Sequence, residues 1–130
     1  MTAPSRFLAW LLLPALVSCS FNLLAATAEG APQALHLLDY IGADYPPTVE
    51  AGKVVDDSEY REQVEFLGVL QGLVAELPDK PERASLVKGV DELLAAVTNR
   101  QDGNAVARQA RQLGAQLAAA YEVSQAPAIT

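Results

Sequence analysis

The sequence predicts an all-α fold, a small up-and-down bundle of about four helices after an N-terminal signal peptide. Three observations indicate this architecture. Alanine and leucine dominate the chain, and runs of the β-branched residues that favour strands are absent. Beyond residue 29, apolar residues recur at spacings of three and four in separate segments. Short links with proline or glycine join these segments, which implies that consecutive helices are antiparallel neighbours.

Residues 1–28 have the three parts of a secretory signal peptide. Arg6 supplies the positive charge, and residues 7–17 (FLAWLLLPALV) form an uncharged apolar run. The A-x-A pattern at residues 26–28 places small side chains where a signal peptidase requires them. Because the first acidic residue of the chain, Glu29, follows at once, we predict cleavage before it.

Two alternatives for this segment remain open. Residues 7–28 are 22 uncharged residues, long enough for an uncleaved membrane anchor, although Pro14 interrupts the run. Residues 16–19 (LVSC) resemble a bacterial lipoprotein box, in which Cys19 would be acylated and become the mature N-terminus. The apolar SFNLLAATA that follows lacks the polar tether usual in lipoproteins.

The first predicted helix runs from Pro32, which suits the first turn of a helix, to about Ala43. Residues 45–47 (Tyr-Pro-Pro) end it, because proline disfavours the helical conformation in the residue before it. A loop then extends to about Asp56. The apolar residues on one side of this helix are Leu35, Leu38 and Ile41.

Asp56 is the predicted N-cap of the second helix, with Glu59 three residues later as the reciprocal partner of a capping box. The Pro-Asp-Lys-Pro segment at residues 78–81 ends this helix and starts the third, which runs to about Asn99. The apolar stripe of the second helix is Tyr60, Val64, Leu67, Leu70, Val74 and Leu77, and that of the third is Leu86, Val90, Leu93 and Val97.

The fourth predicted helix follows a turn at residues 101–104 and ends near Tyr121. The segment after it, EVSQAPAIT, resembles a linker. We therefore expect a helical domain at residues 29–123 and, at residues 124–130, the start of a linker to a missing downstream region. The apolar face of the fourth helix is Val106, Ala110, Leu113, Leu117 and Tyr121.

Composition restricts the function. Without residues 1–28 the chain carries 8 basic and 16 acidic residues, and this balance argues against nucleic acid or anionic lipid as a partner. Because Cys19 is the only cysteine, the mature domain has no thiol nucleophile, no cysteine ligand and no C-x-x-C-H haem attachment site. A phosphate-binding glycine loop, a G-x-S-x-G elbow and an H-E-x-x-H motif are also absent, so we do not expect an enzyme.

His36 and Asp39 form the first candidate metal-binding pair. They lie three residues apart on the first predicted helix, so their side chains stand one above the other and could ligate one metal ion. The alternative is a half-buried histidine that is hydrogen-bonded to Asp39 or to a backbone carbonyl.

Glu62 and Glu65 form the second candidate pair. They belong to an R-E-x-x-E pattern, residues 61–65, that resembles the iron-binding motif in the membrane helices of high-affinity iron permeases. Two carboxylates three residues apart could chelate a hard cation such as ferric iron. The alternative is an ordinary i, i+4 ion pair between Arg61 and Glu65 on a solvated face. The acidic residues around Asp56 need no ligand, since helix capping and the helix dipole explain them.

A longer resemblance covers most of the mature chain. Residues 34–66 look like the periplasmic segment of bacterial Ftr-type iron permeases that carry a fused cytochrome c. The stretch at residues 118–123 (AAAYEV) resembles the segment that leads into the haem domain in that family. The pieces that carry the resemblance are HLLDYI at 36–41, DYP at 44–46, GKV at 52–54 and residues 59–66.

The resemblance implies a periplasmic accessory domain, associated with the inner membrane through the permease and serving iron uptake. It implies haem c only for the missing downstream domain. The partners that it implies are iron, the cytochrome c and the permease. Neither the haem motif nor the permease spans occur in this chain, so no residue here is assigned haem ligation or transport. If iron binds, we expect the hairpin of the first two helices to bring His36 and Asp39 together with Glu62 and Glu65. A stand-alone exported structural protein without a ligand is the alternative.

Overall fold

A computed structural model describes residues 30–124, and these residues form a four-helix bundle. The helices are α1 (Gly30–Asp44), α2 (Asp57–Ala75), α3 (Arg83–Thr98) and α4 (Gly103–Tyr121). The all-α prediction is confirmed. The predicted signal peptide and the predicted linker beyond Ser124 lie outside the described residues.

The helices follow an up-and-down path. Each helix packs against the next one along the chain, and α4 returns to pack against α1, so α1 and α3 lie on a diagonal. The start of α1, the end of α2, the start of α3 and the end of α4 therefore share one end of the bundle, which we call the terminal end. The opposite end, which we call the hairpin end, holds the α1–α2 connection and the α3–α4 turn.

The apolar stripes predicted from the sequence form the core. Burying these faces removes apolar area from water, which drives the four helices together. Tyr60 and Val64 on α2 are only half-buried, because they lie at the edge of the stripe. The large core side chains with under 2% exposure include Tyr45, Ile41, Leu67, Leu70, Leu86, Val90, Leu93, Val97 and Leu117.

Side-chain caps start two of the helices where the sequence places them. The carboxylate of Asp56 accepts a hydrogen bond from the backbone N–H of Glu59 at 3.1 Å. Asp102 does the same for the N–H of Ala105 at 3.1 Å at the start of α4. Each bond satisfies a backbone donor that has no partner inside its helix. The Glu59 carboxylate does not accept the reciprocal hydrogen bond from the N–H of Asp56, so only one of the two bonds of the predicted capping box forms.

The α1–α2 connection is ordered, whereas the sequence predicted only a loop. A 3₁₀ turn at Pro46–Thr48 leads into the strands β1 (Val49–Glu50) and β2 (Lys53–Val54), which pair antiparallel with Glu50 opposite Lys53. The two residues between the strands, Ala51 and Gly52, both have positive φ, as the tight hairpin turns that match the strand twist require. Two-residue strands are too short for a periodic signal in the sequence.

This connection packs tightly on α4. A Cβ atom added to Gly103 would lie 2.6 Å from the Cα of Pro46, closer than real Cβ contacts. The hydroxyl of the buried Tyr45 donates a hydrogen bond to the carbonyl of Gln101 at 2.7 Å, in the α3–α4 turn. Together these contacts join the two connections at the hairpin end.

Gln63 is a polar residue inside the core. It lies on the buried side of α2 with 0% exposure, and neither its Nε2 nor its Oε1 atom has a hydrogen-bond partner in the described part of the protein. Unpaired buried polar atoms cost free energy, so they are uncommon in native folds.

Candidate functional site

His36 and Asp39 lie in a groove between α1 and α4. Both side chains are exposed, so the half-buried histidine considered from the sequence is wrong. Arg111 of α4 lines the same groove, and its positive charge disfavours a metal cation there. The rest of the groove is formed by Pro32, Leu35, Gly114, Ala115, Val123 and Ser124.

Glu62 and Glu65 lie on α2 in a separate shallow depression with Ser58 and Arg61. Both glutamates are exposed. The predicted Arg61–Glu65 ion pair does not form: the Arg61 Nε donates a hydrogen bond to the carbonyl of Asp57 at 3.3 Å instead. Helical side chains lean toward the N-terminus of their helix, which carries the guanidinium away from Glu65.

The two candidate pairs do not meet. Tyr40 contacts Phe66 of α2, whereas His36 and Asp39 line the groove on the α4 side, and Glu62 and Glu65 line a different depression on α2. Among residues 30–124, no group of three or more histidine, aspartate or glutamate side chains is placed to hold a metal ion. The expected convergence is therefore wrong, because it requires both pairs on the α1–α2 side. Whether either pair binds iron by itself stays a prediction.

Carboxylates from two helices crowd together at the hairpin end. The pKa of the Glu59 carboxyl is raised, most strongly by the neighbouring Glu62 carboxylate and further by Asp56 and Asp44. Asp44 is the last residue of α1, so the acidic group spans the α1–α2 connection. We call these four residues, Asp44, Asp56, Glu59 and Glu62, the acidic cluster.

The acidic cluster is part of a wider charge asymmetry. Residues 30–77, which include α1 and α2, carry nine acidic and two basic side chains. Residues 78–124, which include α3 and α4, carry six of each. Within the described chain, both side-chain ion pairs, Arg83–Asp79 at 3.4 Å and Lys88–Glu92 at 3.8 Å, belong to this second, balanced half. The net negative charge of the bundle therefore lies entirely on the α1–α2 half, which we call the acidic half.

Sequence reasoning missed two features of these surfaces. Arg111 lies 75 positions after His36 in the chain, so no local pattern could place it in the His36 groove. Tyr40 and Phe66 were not assigned to any face: Phe66 lies just beside the apolar stripe of α2, whereas Tyr40 lies well outside the stripe of α1. A helical projection of α2 would have placed Phe66 at the edge of its stripe, but a projection of α1 gives no signal for the contact that Tyr40 makes with it.

No helix within residues 30–124 is both long enough and apolar enough to cross a membrane.

The chain matches the family described as the iron permease-associated 4-helix bundle domain over residues 23–124, which includes all four helices. No curated protein and no solved structure matches the chain.

Proposed function

Because the chain belongs to the iron permease-associated 4-helix bundle family, we propose that it is an accessory domain of an Ftr-type iron permease system and that it docks through its acidic half. The family is one of permease-associated helical domains rather than of enzymes. The docking partner in this proposal is the permease itself or the cytochrome c that resembling proteins carry. The predicted signal peptide would deliver the domain to the periplasm, on the outer side of the inner membrane.

The observation that carries the docking proposal is the charge asymmetry. A surface with nine acidic and two basic side chains attracts a basic protein surface and orients the approach, because opposite charges steer association. Docking is favoured over tight metal capture because the carboxylates of the acidic half are solvent-exposed and no cage of ligands converges in the described residues.

Iron uptake in host cells tests this proposal. Deleting the gene should lower uptake of radioactive iron, and the unaltered gene should restore it. A Glu59→Gln, Glu62→Gln, Glu65→Gln variant should restore uptake poorly. The matched control, Glu82→Gln, Asp91→Asn, Glu92→Gln, removes the same charge from the balanced half and should restore it fully. Unchanged uptake in the deletion strain would contradict the accessory role.

Co-purification tests docking directly. The tagged chain should retain the permease or its cytochrome at low ionic strength and release it as salt is raised, because exposed charges are screened within about 8–10 Å at 0.1–0.15 M salt. Binding that does not change with salt would show that the acidic half is not the docking surface.

Weak iron capture is a second candidate function. The raised pKa of Glu59 indicates mutual repulsion among the carboxylates of the acidic cluster, which a bound cation would relieve. The sequence favoured His36 and Asp39 as the first ligands, followed by Glu62 and Glu65. Because Arg111 lines the groove of the first pair, the two glutamates are the first to test. Calorimetric titration of the purified domain with ferrous and ferric iron measures this binding. Unchanged affinity in a His36→Ala, Glu62→Ala double variant would exclude these residues as a site.

The stand-alone alternative makes different predictions. A purely structural exported module, lipid-anchored if Cys19 is acylated, would bind no metal and would leave iron uptake unchanged when deleted. Mass spectrometry of the mature N-terminus distinguishes cleavage before Glu29 from acylation at Cys19.

A further inference from the structure

An exposed apolar strip runs along the outer seam between α1 and α2. At its centre the rings of Tyr40 and Phe66 lie with centroids 6.2 Å apart and planes tilted by 32°. Tyr40 is 54% exposed, and Val69, one turn along α2 from Phe66, is 56% exposed. Leu37, one turn before Tyr40, is half-buried. We call these four residues the seam strip.

The antiparallel register of α1 and α2 makes the strip continuous. The aromatic contact shows this register, and Gly30 agrees with it, since a Cβ there would lie 3.6 Å from the Leu77 side chain. In the same register Leu37 of α1 lies level with Val69 of α2. Asp44 and Glu62 come level one turn further on, so carboxylates close the strip at the hairpin end.

Tyr40 differs from the other tyrosines in its hydrogen bonding. The other three tyrosines donate their hydroxyls to distant carbonyls: Tyr45 to Gln101, Tyr60 to Val97 and Tyr121 to Pro78. Among residues 30–124, the hydroxyl of Tyr40 makes no such bond. A large aromatic side chain that is half in solvent and makes no hydrogen bond within the described residues is typical of a binding surface.

Acidic side chains border the strip. Glu62 lies one turn before Phe66, and Glu65 lies one turn before Val69. A second copy of this chain would bring its own acidic half against this border, and an anionic membrane would be repelled in the same way. A lysine- or arginine-rich protein surface is the complement that this border attracts.

We propose that the seam strip is the docking site for a protein surface with an apolar centre and a basic rim. Tyr40 and Phe66 are the anchors, because aromatic side chains at the centre of an interface carry much of its binding energy. The carboxylates on either side supply orientation and approach rate. That this partner belongs to the permease system rests on the proposed function, whereas the position and chemistry of the site do not.

Matched variants test the site in host cells. A Tyr40→Ser, Val69→Ser variant removes the two exposed members of the strip without opening the core. Val55→Ser is the control, because Val55 is also 54% exposed but lies in the loop before α2, outside the strip. Truncating a hot spot weakens binding by about 30-fold. The double variant should therefore restore iron uptake no better than the deletion strain, and the control should restore it fully.

The outcomes separate the two proposals. Full restoration by the Tyr40→Ser, Val69→Ser variant, in cells whose uptake depends on the gene, overturns the seam strip and leaves the accessory role intact. Deletion without any effect on uptake overturns the accessory role, and photo-crosslinking then decides the strip. With benzoylphenylalanine in place of Tyr40, an adduct to a lysine- or arginine-rich protein segment supports the site. Absence of an adduct, or an adduct to lipid or to a second copy, overturns it. The same probe in place of Gln112, exposed on α4, should give no such adduct.

Discussion

Replacing Gln63 with leucine should stabilise the bundle. The side chain is 0% exposed, and its amide nitrogen and oxygen have no partner in the described part of the protein. A buried donor or acceptor left unpaired costs about 1–3 kcal/mol. Leucine has a similar size and no polar atoms, so Gln63→Leu should raise the free energy of unfolding by about 1–3 kcal/mol. In a domain of this length each kcal/mol corresponds to about 4–8 °C in Tm.

Two further variants separate the polar cost from the packing contribution. Leu67→Ala, one turn along α2 at an equally buried position, should cost about 2–5 kcal/mol through lost burial and the cavity left behind. Gln63→Ala opens a comparable space but also removes the unpaired amide, so it should cost clearly less than Leu67→Ala. The difference between the two alanine variants combines the cost of the amide with the smaller apolar area that Gln63 buries.

Urea unfolding followed by far-UV circular dichroism is the assay, because loss of the four helices gives a large signal. The slope of the free energy against urea should not change among the variants if only stability differs. A Gln63→Leu protein less stable than the original would refute the reasoning. It would mean that the amide is hydrogen-bonded in solution, for example to a water held in the core.

Three further predictions concern the hairpin end and α2. Gly103→Ala should destabilise the protein by about 1–3 kcal/mol, because its Cβ would collide with the backbone of Pro46. Gly68→Ala should instead stabilise it by up to about 1 kcal/mol, because its Cβ meets nothing within 4 Å. Thermal unfolding shows whether Tm falls for the first variant and rises for the second. Burial, together with the nearby Tyr60 and Asp102, raises the pKa of Tyr45 to about 12. The neutral phenol therefore contributes its full stability below about pH 10. That contribution is lost between about pH 10 and 12, because the phenol of the unfolded chain ionises first. A Tyr45→Phe variant should lose stability less steeply over that range in urea titrations, and an equal slope would contradict the assignment. Asp102→Ala should cost about 1 kcal/mol by removing the cap of α4, and an unchanged urea midpoint would show that the cap contributes nothing.

The helices were predictable because their signals are local. The stripe from Val106 to Tyr121 recurs every three or four residues, and every one of its predicted members is buried. The cap of α2 lies three residues from the backbone donor that it serves, so Asp56 and Glu59 are recognisable as a pair.

Contacts between distant parts of the chain were not predictable. Tyr45 and Gln101 are 56 residues apart and lie in the two connections, outside the helical stripes, so no periodic pattern indicates their hydrogen bond. Gln63 lies on the same side of α2 as the apolar stripe, but a polar side chain at that position predicts exposure to solvent rather than burial. The candidate metal-binding pairs failed to converge for the same reason. Spacing along a helix shows which residues share a face of that helix, but the packing of the helices determines which neighbouring helix that face contacts.

An even number of antiparallel helices has a consequence for how this domain reaches its surroundings. Gly30 and Tyr121 lie at the terminal end, so any neighbour joined to the chain on either side connects to the bundle there. The 19 residues of α4 span about 28 Å at 1.5 Å per residue, which separates that attachment from the opposite end. The acidic cluster is at that far end. The bundle therefore acts as a rigid spacer that holds its most negative part about 28 Å from the point of attachment, and it is this reach that determines which surfaces Asp44 and Glu62 can touch.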